Sequence, residues 1–394
     1  MERASALPVL EAGAADSVVA QKAQGPRVYD VDNIGYIDYL GGGGSSIVGF
    51  ANQFILDAVK KVLTNGVPDG FHVPQEVELV EKLTGFLPWV GTWWFCRNQD
   101  EAMREVLAWA RRSSGKRQIL ALEGGARLRI GAGPVRAGRD VSVREISSWN
   151  VDRIVTTIRD GSADIAALVL EPLMTRLGLI PLGGEDVKAI AEACREVGVI
   201  LVLDERVSGF RVARGGAAEW TGITPDAGVY GSALGGGFPI GVVGFNVDRA
   251  DASTEAEEIF ATPHPVSLVA AEAVLSILKN DTTYERLEER TAQLADGIRN
   301  LADRFNRSIV VNRVASVFSL YLGVKKVATG TSARRADADA YRRLVGGLRD
   351  EGVLLPPTQG GTAFVSAAHG AKDIEETLSA SEQVLLRLHQ EDLP

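Results

Sequence analysis

The sequence predicts an α/β protein: a mostly parallel sheet flanked by helices, with a smaller α+β part. Three observations carry this. Short, almost continuously apolar runs occur at 118–122 (QILAL), 165–170 (IAALVL), 199–203 (VILVL) and 240–245 (IGVVGF), as strands buried on both faces require. A helical stretch from Glu185 to Val197 lies between two of these runs, which makes a βαβ unit. The 394 residues are enough to bury a sizeable core and to form more than one domain.

The remaining elements follow in chain order. Residues 27–30 and 34–39 read as a β-hairpin turning at Asp32-Asn33. Apolar spacing at Ile55, Val59 and Val62 predicts a helix over 54–63, and further helices are expected at 76–87 and 101–112. A long helix is expected at about 265–280. Residues 310–322, with helices at 336–351 and 374–389, form a C-terminal α+β portion. The one low-complexity stretch is Gly41-Gly42-Gly43-Gly44-Ser45-Ser46, which lacks the Lys-Ser/Thr that would make it a phosphate loop.

Composition excludes several classes. A formal net charge of −9 argues against a nucleic-acid-binding surface. Cys96 and Cys194 are far apart, and four scattered histidines offer no metal-ligand spacing. A reducing cytoplasm and no metal are therefore expected. No run of about 18 apolar residues predicts a membrane span, and residues 1–21 do not read as a signal peptide.

Six blocks in register then carry a family resemblance. The block Leu203-Asp204-Glu205-Arg206-Val207-Ser208-Gly209-Phe210-Arg211 resembles the "FDEVxTGFR" segment of class III, fold-type I pyridoxal phosphate (PLP) aminotransferases. Residues 215–220 and 224–226 resemble "GGAQEYxGVTPD", 231–239 resembles "GKxxGGGxP", and Glu171-Pro172 matches an "EP" pair. Residues 29–39 resemble "YDVDGNRYIDY". Residues 352–359 and 364–369 look most like the glutamate-1-semialdehyde aminomutase branch. The resemblance runs from about residue 27 to the C-terminus. It implies a fold-type I architecture in which 1–50 and 286–394 build a small domain around a large domain at 51–285. It also implies a homodimer.

Such a site needs an aspartate facing the pyridine nitrogen, a lysine for the Schiff base, and a helix N-terminus for the phosphate. It also needs an aromatic ring to stack and a partner threonine. By resemblance Asp204 is the aspartate and Thr262 the threonine. Ser232 stands where the lysine is expected, and no lysine occurs between Lys188 and Lys279. The phosphate turn aligns with Arg97-Asn98-Gln99-Asp100-Glu101-Ala102, which puts a carboxylate where phosphate oxygens should lie; Asp100 otherwise reads as a cap or first-turn acid. Ala126 replaces the stacking ring, with Arg127 beside it.

These departures lead to an expectation of a divergent enzyme without a cofactor. Asp204, Arg127, Asp100 and His264 would then do acid–base work on a small polar substrate. Asp204, Ser232, Asn98, Gln99 and Thr262 would be inherited cofactor-pocket positions. The alternatives are non-covalent binding of PLP or pyridoxamine phosphate (PMP), or a non-catalytic subunit that completes a partner's site. Bland readings stand beside these. Ser232 could simply fill space, since no neighbouring base activates it. Arg127 and Arg97 could lie at a solvated rim, His72 and His264 could be surface residues, and Glu171 and Glu205 structural. No nucleic acid and no membrane partner are expected.

Overall fold

The computed structural model describes residues 18–124, 143–146, 150–246 and 263–391. At its centre is a seven-stranded sheet of β4 (Thr92–Cys96), β5 (Gln118–Leu122), β6 (Val143–Ile146), β7 (Ile165–Leu170), β8 (Ile200–Glu205), β9 (Ala227–Tyr230) and β10 (Gly241–Phe245), in the order β4-β10-β9-β8-β7-β5-β6. The apolar runs at 118–122 and 165–170 become β5 and β7 over the expected residues. Strands β5 to β9 are parallel. Strand β10 is antiparallel to both β9 and β4. Its fully buried residues give the same apolar signature as a parallel strand, because burial on two faces does not encode direction.

Helices cover the sheet. The first is α1 (Gln53–Asn65), followed by α2 (Pro74–Phe86), α3 (Gln99–Ser114), α4 (Val151–Asp160), α5 (Gly184–Val197), α6 (Gly216–Thr221) and α7 (Pro265–Leu278). Helix α3 shows why these segments are helical. Asn98 caps its start, Asp100 and Glu101 sit at its positive end, Arg111 and Arg112 at its negative end, and Gly115 (φ 67°) closes it in the left-handed region. Helix α7 is apolar almost all round and packs against both α1 and α2 inside the core. Among the described residues no helix is long and apolar enough to cross a membrane.

The N- and C-terminal parts meet in a second sheet. Strands β1 (Ala20–Gln24), β2 (Arg27–Asp30) and β3 (Gly35–Asp38) pair antiparallel in sequence, and β3 pairs in parallel with β13 (Val353–Leu354). The expected hairpin is present. Asp30 Oδ1 accepts from the Asp32 and Ile34 amides, and Asn33 takes a positive φ of 62°. Residues 309–322 form a second hairpin, β11 (Ile309–Val314) and β12 (Val317–Leu322), and β12 also pairs with β14 (Ala363–Phe364). Three long helices, α8 (Asp281–Arg304), α9 (Ala338–Asp350) and α10 (Ala371–Glu391), pack with these strands.

One buried cation joins these parts. Arg211 is 1% exposed and donates to the Gly44 carbonyl (2.6 Å), the Val365 carbonyl (3.2 Å) and Ser316 Oγ (3.2 Å), with its guanidinium over the Phe364 ring. Burial pushes its pKa down to about 9. Arg211→Met keeps the bulk but removes the donors. It should lower the thermal unfolding midpoint by several degrees, since hydrogen bonds to charged groups contribute about 1.5–3 kcal/mol each. An unchanged midpoint by calorimetry contradicts this role.

Candidate functional site

The sheet topology gathers the candidate residues at one edge. Strand β4 is antiparallel to β10, and β10 is antiparallel to β9, so β4 runs in the same direction as β5 to β9. The C-terminal ends of β4, β7, β8 and β9 therefore lie together, which is where open α/β sheets place ligands. Strand β4 leads into Asn98, Gln99 and Asp100 at the start of α3. Glu171 follows β7, Asp204 lies at the end of β8, and Ser232 follows β9 after Gly231.

The centre of this edge is an ion-pair cluster. Asp204 is 2% exposed. Arg206 Nε donates to its Oδ1 (3.0 Å) and Arg206 Nη2 to its Oδ2 (2.9 Å), a bidentate fork; the Arg206 backbone amide adds a third bond to Oδ1 (3.1 Å). The remaining arm, Nη1, donates to Asp100 Oδ1 (2.8 Å). Burial works against the Arg206 charge. Asp204, then Asp100 and Glu171, outweigh it and hold the guanidinium pKa above its ordinary value. Arg206 was not among the residues singled out from the sequence. Its signal was its spacing, because a residue two positions after a buried aspartate at a strand end returns to the same side of the extended chain.

The residues around the cluster take definite roles. Asn98, not Asp100, caps α3: its Oδ1 accepts from the Asp100 and Glu101 amides (3.1 and 2.9 Å), and the Asp100 carboxylate is free to reach Arg206. Gln99 lies against Gly231, where an added Cβ would come within 2.7 Å of the Gln99 Cβ, and its buried Oε1 has no hydrogen-bond partner among the described residues. Ser232, at a left-handed φ of 40°, donates Oγ–H to the Gly43 carbonyl (2.9 Å). The glycine run is a turn in which Gly41 to Gly44 all have positive φ, between 57° and 94°, so any side chain there is strained. Ser232, Asn98, Gln99, Asp100 and Asp204 are thus brought to one edge. His264 is not placed by any contact with this cluster. Its Nδ1 accepts from the Val266 amide (3.3 Å) as the exposed cap of α7. Arg127, Ala126 and Thr262 lie outside the described residues.

Two buried carboxyls lie alongside. Glu171 is 4% exposed. Burial first, then the Asp204 charge, pushes it up to about 8, against the hydrogen bonds from Thr175. Among the described residues its Oε2 has no hydrogen-bond partner. Glu205 is pushed up to about 7 by burial, although Ser208 Oγ and the Ala217 and Ala218 amides all donate to it. The latter fits the structural reading: it anchors the start of α6.

Residues 138–364 match the aminotransferase class-III family model. The chain is 30% identical to glutamate-1-semialdehyde 2,1-aminomutase of Desulfatibacillum aliphaticivorans, covering 95% of this chain and 93% of that protein. It is 31% identical to the enzyme of the same name from Rhodopirellula baltica, covering 93% and 89%. The fold superposes on a transaminase with PLP bound (TM-score 0.84, 24% identity, covering 99% and 97%). It also superposes on a lysine-to-alanine variant of a Pseudomonas aeruginosa glutamate-1-semialdehyde aminomutase in complex with PMP (TM-score 0.83, 21% identity, covering 94% and 88%). The expected fold-type I architecture is thereby shared with these structures. The expectation of no cofactor is overturned, because these similarities point to PLP.

The two raised carboxyls set a pH dependence. Their folded-state pKa values exceed the ordinary 4.5, so the folded protein keeps protons that the unfolded chain releases. Their stabilising contribution is complete below 4.5 and is lost as pH rises through about 7 and about 8. The unfolding midpoint of the protein should therefore fall more steeply across this window than that of Glu171→Gln, which has lost one of the two titrations. Parallel pH profiles for the two proteins contradict the assignment.

Proposed function

Because the chain belongs to the class III aminotransferase family, we propose that it works with a PLP- or PMP-type cofactor held without a covalent link, which binds and leaves as a dissociable ligand. The observation that carries this reading is the pairing of a retained buried carboxylate, Asp204, with a hydroxyl, Ser232, at the position where the family resemblance places the lysine. No lysine between residues 188 and 279 can substitute for it. The residues do not fit a covalently held cofactor. They fit an ionically held one, in competition with Arg206 for Asp204. Acid–base chemistry without a cofactor finds no support among the relatives.

In this reading Asp204 receives the protonated ring nitrogen, and Asn98 and Gln99 at the start of α3 border the phosphate end. Such a cofactor, when bound, supplies an electron-withdrawing ring that acidifies the C–H beside an amine. The chain's residues bind and orient. Burial and the Asp204 charge push the Glu171 pKa up, which favours its neutral form and lessens the negative charge beside the carboxylate that must receive the ring. Ser232 Oγ–H donates a hydrogen bond to the Gly43 carbonyl, which does not activate it as a nucleophile. The turn Gly41–Gly44, fixed from below by Arg211, holds that serine in place. The substrate is a small polar molecule, as for the aminomutases to which the chain is similar.

The test is direct. Incubation with excess PLP, borohydride reduction and intact-mass analysis should leave the chain mass unchanged, while equilibrium dialysis detects reversible binding of PMP. A reduced pyridoxyl adduct on a lysine contradicts the reading, and so does the absence of any PMP binding.

A homodimer is part of the same proposal. Phe54, Leu63, Phe71 and Val77, on α1, α2 and the segment between them, are each more than half exposed, which supports a covered face there. Light scattering should return twice the chain mass of 42.0 kDa; the mass of one chain contradicts it.

A further inference from the structure

We propose that Arg206 and Asp100 together are an internal stand-in for the cofactor, and that Arg206 sets how weakly the cofactor binds. This rests on the reading of the pocket as a non-covalent PLP or PMP site. A phosphorylated pyridinium carries positive charge at its ring nitrogen and negative charge at its phosphate. The pocket already holds that charge pattern in its own side chains. The Arg206 guanidinium engages both oxygens of Asp204 at 3.0 and 2.9 Å, where the ring nitrogen would bond. The Asp100 carboxylate lies in the first turn of α3, where a phosphate would use the helix N-terminus. The two stand-in charges are joined to each other at 2.8 Å.

The backbone donors are taken as well. The Asp100 and Glu101 amides, which would face a phosphate, already donate to Asn98 Oδ1. An incoming ligand therefore meets a carboxylate that already has its cation and a helix start that already has its acceptor. Binding must separate Arg206 from Asp204, and a buried carboxylate tolerates that only if the newcomer is itself cationic. This makes Arg206 a specificity-determining residue: it admits a protonated pyridine ring and rejects neutral or anionic competitors at Asp204. Exposure shows which end gives way. The Asp100 side chain is 55% exposed and that of Arg206 is 10% exposed, whereas Asp204 is 3% exposed. The guanidinium can turn outward with Asp100, while Asp204 stays fixed at the end of β8.

The experiment titrates the wild-type chain, Arg206→Ala and Asp100→Asn with PMP by equilibrium dialysis at neutral pH, with thermal unfolding followed on each. Arg206→Ala should bind PMP at least about tenfold more tightly than wild type, which corresponds to about 1.4 kcal/mol. Equal or weaker binding by folded Arg206→Ala overturns the inference. Asp100→Asn keeps the Arg206–Asp204 fork but removes the negative stand-in, so it tests the idea even if Arg206→Ala fails to fold. It should gain affinity by a few fold, and unchanged or weaker binding overturns the inference. PMP binding by Arg206→Ala but not by wild type overturns the proposed function of the wild-type chain and supports the role of Arg206. Binding by neither protein overturns both.

Discussion

The fork between Arg206 and Asp204 is the interaction on which the rest of the site depends. A carboxylate as deeply buried as Asp204 is costly unless a cation and hydrogen bonds meet it, and the penalty for a lone buried ion is several kcal/mol. Arg206 meets it through two side-chain bonds and one backbone bond. That commitment fixes the side chain of Arg206, which in turn fixes where its third arm can point and so which acid it can join. Asp100 is that acid. The charge of Asp204 also acts on Glu171, where it adds to burial in raising the pKa. One ion pair thus contributes to the raised pKa of a neighbouring carboxyl, engages Asp100 in the first turn of α3 and sets the charge that any ligand encounters.

The scaffold explains why these residues meet at all. Two successive reversals, β4 to β10 and β10 to β9, bring the end of β4 into line with the parallel strands. Without them the start of α3 would sit at the opposite edge, and Asp100 could not reach Arg206. The glycine turn closes the site from the other side. Its four left-handed residues let the Gly43 carbonyl reach Ser232 and the Gly44 carbonyl reach Arg211. Arg211 also grips Ser316 and the Val365 carbonyl, so the position of Ser232 is referred to the C-terminal strands rather than to its own loop.

Much of this was legible in the sequence, for physical reasons that also explain what was not. The buried strands β5, β7 and β8 announce themselves as apolar runs. Strand β4, with Trp93, Trp94 and Phe95 only partly buried at the sheet edge, does not, and β9 is too short at four residues to show a pattern. The hairpin at 27–38 was readable because Asp30 and Asn33 are turn formers. At the site, Asp204, Asn98, Asp100 and Ser232 could be located because motif order fixes the ends of strands and helices. Arg206 stood in the same motif, but its fork onto Asp204 depends on its rotamer, and its third arm on Asp100, 106 residues away. His264 was singled out by resemblance, and a motif does not give a ring's direction: in the structure its Nδ1 accepts from the Val266 amide at the start of α7. The expectation of no cofactor rested on single substitutions within the motifs, whereas the similarities along the chain point to PLP.

In the reading proposed above, Arg206 and the ring of a PLP-type cofactor compete for one carboxylate. Crystal structures grown with and without saturating PMP test it most directly. Without PMP, Arg206 should be forked onto Asp204. With PMP, the ring nitrogen should lie against Asp204 and the guanidinium should turn out beside Asp100. A structure in which PMP occupies the pocket while the Arg206–Asp204 fork remains closed would contradict it.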